Sequence, residues 1–128
     1  MKANFIVYVK DQPASRDFYA AALGAGPRLD VPGMTEFELF PGCVLGLMPE
    51  KGIKRLLPGL PDPEAGRAGA RAEIYLTVPD PAACHARALA AGARELSALA
   101  PRDWGDMAAY SLDPDGHVLV FACPITKI

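Results

Sequence analysis

The chain has 128 residues, one domain's worth, and at that size about two-thirds of the unfolded surface can be buried, so a core needs no covalent staples. Apolar residues at 51% and charged residues at 22% argue against disorder, and a net charge of −2 gives no general drive toward nucleic acid or an anionic membrane. The three scattered cysteines fit neither a disulfide framework nor a zinc site, and no apolar run approaches the roughly 20 residues of a membrane span, so a soluble, cytoplasmic protein is expected.

Asn4 to Val9 is rich in β-branched and aromatic residues and ends at Lys10-Asp11, which predicts a strand. Asp11 then serves as N-cap, with Pro13 in the first turn, for a helix running to Leu23 and stopped by Gly24-Ala25-Gly26-Pro27. Phe18, Tyr19, Ala22 and Leu23 supply its apolar stripe, with Arg16 and Asp17 outward. Met34 to Phe40 and Cys43 to Met48 read as strands flanking a turn at Pro41-Gly42. A segment punctuated by Pro and Gly and filled with charges follows; it predicts a long linking loop and a candidate lid.

The opening pattern then returns. Glu73 to Val78 reads as a strand leading to Asp80, Pro81 to Ala91 as a helix, and Gly92 as its stop. Met107 to Leu112 and His117 to Cys123 form a second strand pair around Asp113-Pro114-Asp115-Gly116. Asp80 repeats Asp11, Val78 repeats Val9, and Glu73 repeats Asn4, all at an offset of 69. Two copies in the same order indicate an internal duplication. The expected organisation is a single α+β domain over 1–128. Module one spans about 1–49, the linker about 50–70, and module two about 71–128.

Several stretches carry a resemblance to a known superfamily: Val9-Lys10-Asp11, Ser15 with Phe18-Tyr19, Leu23-Gly24, Trp104-Gly105 and Asp113-Pro114-Asp115-Gly116-His117. In these the chain resembles the vicinal oxygen chelate proteins, which include glyoxalases, extradiol dioxygenases and bleomycin-resistance proteins. The resemblance implies paired βαβββ modules whose curved sheets enclose a cleft, in a homodimer. In metal-using members of that superfamily the ligands lie at the start of each module's first strand and on a late strand. Those positions fall on Asn4 and Glu73, and near Gly46 and Val120. One carboxylate and one amide cannot offset the dehydration of a divalent ion, so the usual metal is expected to be absent, with no cofactor in its place.

Strand alternation predicts what lines the cleft instead. Asn4, Ile6 and Tyr8 share one face of the first strand, with Phe5, Val7 and Val9 toward the helix layer. Glu73, Tyr75 and Thr77 share the corresponding face in the second half, against Ile74, Leu76 and Val78. Glu36 and Glu38 alternate with Phe37 and Leu39, and only the hairpin register decides which face they take. The expected ligand-binding set is Asn4, Ile6, Tyr8, Glu73, Tyr75, Trp104 and Val120, with Trp104 a pocket aromatic in the drug-binding members that the resemblance brings in. Glu73 is the candidate general base, its pKa raised by desolvation among Tyr75, Ile6 and Val120. His85 is expected to be exposed in mid-helix, and His117 to serve turn packing. Two functions fit. One is a protein that binds and sequesters a small aromatic or antibiotic-like ligand; the other is a lyase or isomerase, metal-free through Glu73 or carrying an unusual metal site.

Overall fold

The computed structural model of the chain describes residues 1–66 and 69–126. Strand β1 covers Ala3–Val9 and helix α1 covers Gln12–Leu23. The Asp11 carboxylate accepts the backbone N–H of Ala14 at 3.0 Å, and the N–H of Gly24 caps the far end on the Ala20 carbonyl. Strands β2 (Leu29–Val31), β3 (Met34–Phe40) and β4 (Cys43–Pro49) complete the first module. Helices α2 (Glu50–Leu56) and α3 (Pro63–Gly66) follow. The second module is β5 (Glu73–Thr77), α4 (Pro81–Ala90), β6 (Arg94–Pro101), β7 (Asp106–Leu112) and β8 (Val118–Pro124). The Asp80 carboxylate caps α4 on Ala83 N–H at 3.1 Å, as Asp11 caps α1.

Each module is a four-stranded mixed sheet with the same strand order, β1-β4-β3-β2 and β5-β8-β7-β6. The first strand of each lies at an edge and runs parallel to the last, while the remaining neighbours are antiparallel. The fold is therefore α+β with two βαβββ modules. Gly42 and Gly116 occupy corresponding turns at φ 87° and 86°, a left-handed conformation in which a side chain would be strained.

One core serves both modules. Phe18, Tyr19 and Ala22 of α1 meet Ala88 of α4, and the two helices pack between Phe37, Leu45 and Leu47 of the first sheet and Leu119 and Phe121 of the second. Phe18 and Tyr19 meet edge to face, with ring centroids 5.0 Å apart. Burying each of these large side chains contributes on the order of 1.5–3 kcal/mol, so the two halves stabilise one another.

Three expectations are corrected. The stretch read as a loop carries α2, because Ile53 docks in the core and Glu50 is buried at the helix start. His85 is buried, only 6% exposed, because positions 81, 85 and 88 follow the helical repeat and Ala88 draws that stripe inward; its Nε2 lies 2.9 Å from a Glu95 carboxylate oxygen on β6. Phe5 does not reach the helix layer. It is 64% exposed near the free end of β1, whereas Val7 and Val9 do pack there.

Candidate functional site

The face of module two that points away from the helices has a floor of small residues. Ala108, Val120 and Ala122 are fully buried there, covered by Tyr75, Tyr110 and Val118. Register puts these together: Tyr75 of β5 lies opposite Val120 of β8, which lies opposite Tyr110 of β7. Strand alternation then brings Asp106 to the same face as Tyr110.

A hydrogen-bonded triad fixes the rim. The Tyr75 hydroxyl donates to Asp106 Oδ2 at 2.5 Å and accepts the indole Nε1–H of Trp104 at 2.9 Å. Trp104 is held in this way although 59% of it is exposed. Burial and then the bond to Asp106 push the Tyr75 pKa up, against the Trp104 bond, which lowers it. Burial and then the Glu73 charge do the same to Tyr110, against the opposing pull of Arg102. Both phenols are therefore neutral at ordinary pH. The Arg102 guanidinium lies over the Tyr110 ring, 5.1 Å from its centroid. Hydrogen bonds to Ser97 Oγ and to the carbonyls of Ala98 and Ala108 hold it in place. Glu73 is exposed at the start of β5, so the desolvation expected for it is not found.

Module one presents a different face. The Asn4 amide donates to Glu36 at 3.4 Å, and Arg28 pairs with Glu36 at 2.9 Å and with Glu38 at 3.7 Å. The hairpin register thus brings both glutamates to one cation. Ile6 lies opposite Gly46.

Between the two sheets runs a cavity of about 500 Å³. Phe5, Ile6, Val7 and Leu45 line it from module one, and Glu73, Tyr75 and Leu76 from module two. Its walls are mostly apolar, and Glu73 is its one carboxylate. That volume lies within the range of about 300–1,000 Å³ typical of small-molecule sites. Of the residues expected to bind ligand, Ile6, Glu73 and Tyr75 meet at this seam. Trp104 joins through its bond to Tyr75, and Val120 lies beneath Tyr75. Asn4 stays with Glu36 on module one. Tyr8 lines a separate cavity of about 260 Å³ with Glu50, Asp115 and His117, and the His117 Nε2–H donates to the Tyr8 carbonyl at 3.0 Å. Sequence reasoning missed Asp106, Tyr110 and Arg102. Alternation along β7 carries the signal for the first two, but it needs the pairing with Val120 to choose their face.

The positions implied for a metal do not fit one. A Cβ at Gly46 would lie 3.0 Å from Ile6 Cγ1 and 3.3 Å from Met34 Sδ, and Val120 is sealed under the tyrosines. Asn4 and Glu73 are the only donors at the four positions, and among the described residues no group of three or more His, Cys, Asp or Glu could hold an ion.

No helix among the described residues is long and apolar enough to cross a membrane. No curated protein matches the chain. Several solved structures share its fold. A glyoxalase-related enzyme from Fulvimarina pelagi is 22% identical with a TM-score of 0.82, over 99% of this chain and 93% of that one. A glyoxalase/bleomycin resistance protein/dioxygenase family enzyme from Burkholderia phytofirmans PsJN is 16% identical with a TM-score of 0.79, over 95% and 97%. A glyoxalase/bleomycin resistance protein/dioxygenase from Nocardioides is 23% identical with a TM-score of 0.72, over 100% and 85%. The family model of these proteins matches residues 3–121 of the sequence. With the duplicated βαβββ topology, that match over nearly the whole length shows that the chain belongs to the glyoxalase/bleomycin resistance protein/dioxygenase superfamily.

Proposed function

We propose that the chain is a cytoplasmic small-molecule-binding protein of this superfamily that takes up an aromatic or antibiotic-like ligand without a metal. The observation that carries this reading is the double role of Tyr75. One side of it lines the apolar seam cavity, and its hydroxyl fixes the exposed indole of Trp104. A rigid aromatic platform beside an apolar cavity supplies contact area at little cost in ordering. The donors at the superfamily's metal positions, one carboxylate and one amide, support binding without an ion.

A homodimer belongs to the same reading. Strand β1 lies at the edge of its sheet with Phe5 and Ile6 exposed, a surface that favours cover by a second copy. Sedimentation of the full chain is expected to show a dimer.

Trp104 is the only tryptophan, so its emission reports directly on the site. Aromatic compounds that raise the melting temperature in a thermal-shift screen are expected to change that emission. Trp104→Ala should weaken them by about 1–3 kcal/mol. A compound that leaves the emission untouched and binds the variant equally well puts the site elsewhere. Added zinc, nickel or manganese should leave the melting temperature unchanged, because an ion bound only by the native state must raise it. A rise that is lost in Glu73→Ala overturns the metal-free reading.

A further inference from the structure

We infer that the cavity beside Tyr8, apart from the seam, binds a small zwitterion of the amino-acid class, with its ammonium on Asp115 and its carboxylate on Arg71. This second site goes beyond the proposed function, and the two cavities share only Ala72 and His117.

Asp115 and Arg71 both line this cavity, yet they form no ion pair, so their charged groups stand beyond reach of each other. Asp115 is only 8% exposed. Its Oδ1 accepts the backbone N–H of Lys10 at 2.8 Å, while Oδ2 has no hydrogen-bond partner among the described residues. Oδ2 is nevertheless not sealed from solvent, so a molecule in the cavity can reach it. Arg71 is exposed and likewise has no hydrogen bond or ion pair among the described residues. A ligand with one charge satisfies one wall and opposes the other. An ammonium alone meets the guanidinium, and a carboxylate alone meets Asp115 and Glu50. A ligand that carries both charges on one short frame answers both.

The surroundings are fixed before anything binds. Asp113 Oδ1 accepts the N–H groups of Asp115 and His117, which sets the turn that carries the carboxylate. The His117 ring is tied to the Tyr8 carbonyl at 3.0 Å. The Tyr8 hydroxyl has no partner among the described residues, so it is available to donate to a ligand oxygen. Burial, and then the charge of Asp113, disfavours the ionised form of Asp115, against the Lys10 bond, and Glu50 adds to that pressure. A bound ammonium supplies the compensation this carboxylate lacks. The volume of about 260 Å³ falls below the range of about 300–1,000 Å³ usual for drug-sized ligands, which suits a molecule of a few heavy atoms.

Glycine, β-alanine and 4-aminobutyrate, which differ in the separation of their charges, test this on the full chain. Ethylamine and propionate are the single-charge halves of β-alanine. The backbone N–H signal of Lys10, which donates to Asp115, is followed by NMR during titration beside the indole N–H of Trp104. At least one zwitterion is expected to shift the Lys10 signal saturably and leave the indole unmoved. For the halves to be a fair comparison, β-alanine should bind at least about tenfold more tightly than either, the scale of a second charge-assisted contact. Asp115→Asn and Arg71→Gln should each weaken the bound zwitterion at least about fivefold, while the exposed Arg94→Gln on β6, outside the cavity, should not. Melting curves of the variants verify folding, and Arg71, being exposed, gives a variant that does not depend on the core. No shift of Lys10 by any zwitterion at about 10 mM, where even a millimolar site is mostly filled, overturns the inference. Equal binding of β-alanine and one of its halves, or binding unchanged by Arg71→Gln, overturns recognition of two charges. A shift of the indole alone places the probe at the seam and overturns the second site. None of these results bears on the binding of aromatic compounds beside Trp104, which is read from its own emission.

Discussion

The Tyr19 hydroxyl donates to Asp113 Oδ2 at 2.5 Å in the buried core, joining residues far apart in the chain. The other Asp113 oxygen accepts the backbone N–H groups of Asp115 and His117 at 2.8 Å each. Burial, and then the charge of Asp113, holds the Tyr19 pKa well above the usual phenol value, so the proton stays on tyrosine. Tyr19→Phe keeps the ring packing but leaves a buried carboxylate oxygen without its donor. It should destabilise the chain by about 1–3 kcal/mol in urea unfolding. A loss below about 0.5 kcal/mol would mean that water replaces the hydroxyl. Each residue was legible in the sequence alone, Tyr19 as part of an apolar stripe and Asp113 as the start of a turn. Their bond was not, because nothing local encodes which turn a helix will meet.

Among the elements, the two capped helices provide the most direct test of the duplication. Asp11 and Asp80 each accept the N–H three residues on, at 3.0 and 3.1 Å, ahead of a proline in the first turn. Asp11→Ala and Asp80→Ala should each lower stability by about 0.5–2 kcal/mol in chemical denaturation, with similar losses at both sites. A loss at one site only would mean that the repeated cap no longer has a repeated role. Helices α1 and α4 were legible because cap, proline, apolar stripe and stop all agree. Strand β2 was not: it is three exposed residues that pair with Met34, Thr35 and Glu36, so its pattern carries no buried face. Strand β6 alternates weakly for the same reason, exposed over most of its length and interrupted by register shifts against β7. The helical repeat of His85 is present in the sequence, but with Cys84 and Arg87 beside it the buried side of the helix is fixed only by the packing of Ala88 in the core.

At the scale of the molecule, the Asp-Pro-Asp-Gly turn of module two also fastens module one. Asp115, nearly buried, accepts the backbone N–H of Lys10 at the end of β1 at 2.8 Å. Desolvation raises its pKa above the ordinary carboxylate value, against the lowering effect of the Lys10 bond. The native state therefore holds this proton more tightly than the unfolded chain. The contribution of Asp115 to stability is full below the unfolded pKa and is lost as the pH rises through the folded value. Asp115→Asn keeps an acceptor for Lys10 but removes the charge. The variant should gain stability relative to the parent at neutral pH, and the gain should vanish below about pH 4. Urea midpoints across that range check it, and a difference independent of pH would show that Asp115 acts by shape alone.

The sequence by itself determined the duplicated order of strand, helix and strand pair, the capped helices and which face of β1 and β5 each side chain takes, with Phe5 the exception in reaching the helix layer. These depend on periodicity and on interactions a few residues long, which survive in any arrangement of the elements. Only the tertiary structure decided that Ile6, Glu73 and Tyr75 meet at a seam while Tyr8 and Asn4 lie elsewhere, and that Trp104 is fixed through Tyr75. It also decided that Arg28 pairs with both Glu36 and Glu38 on one face while Arg102 lies over the Tyr110 ring on the other. Each of these rests on inter-strand register and on how two sheets pack across shared helices, and neither is encoded within any single segment.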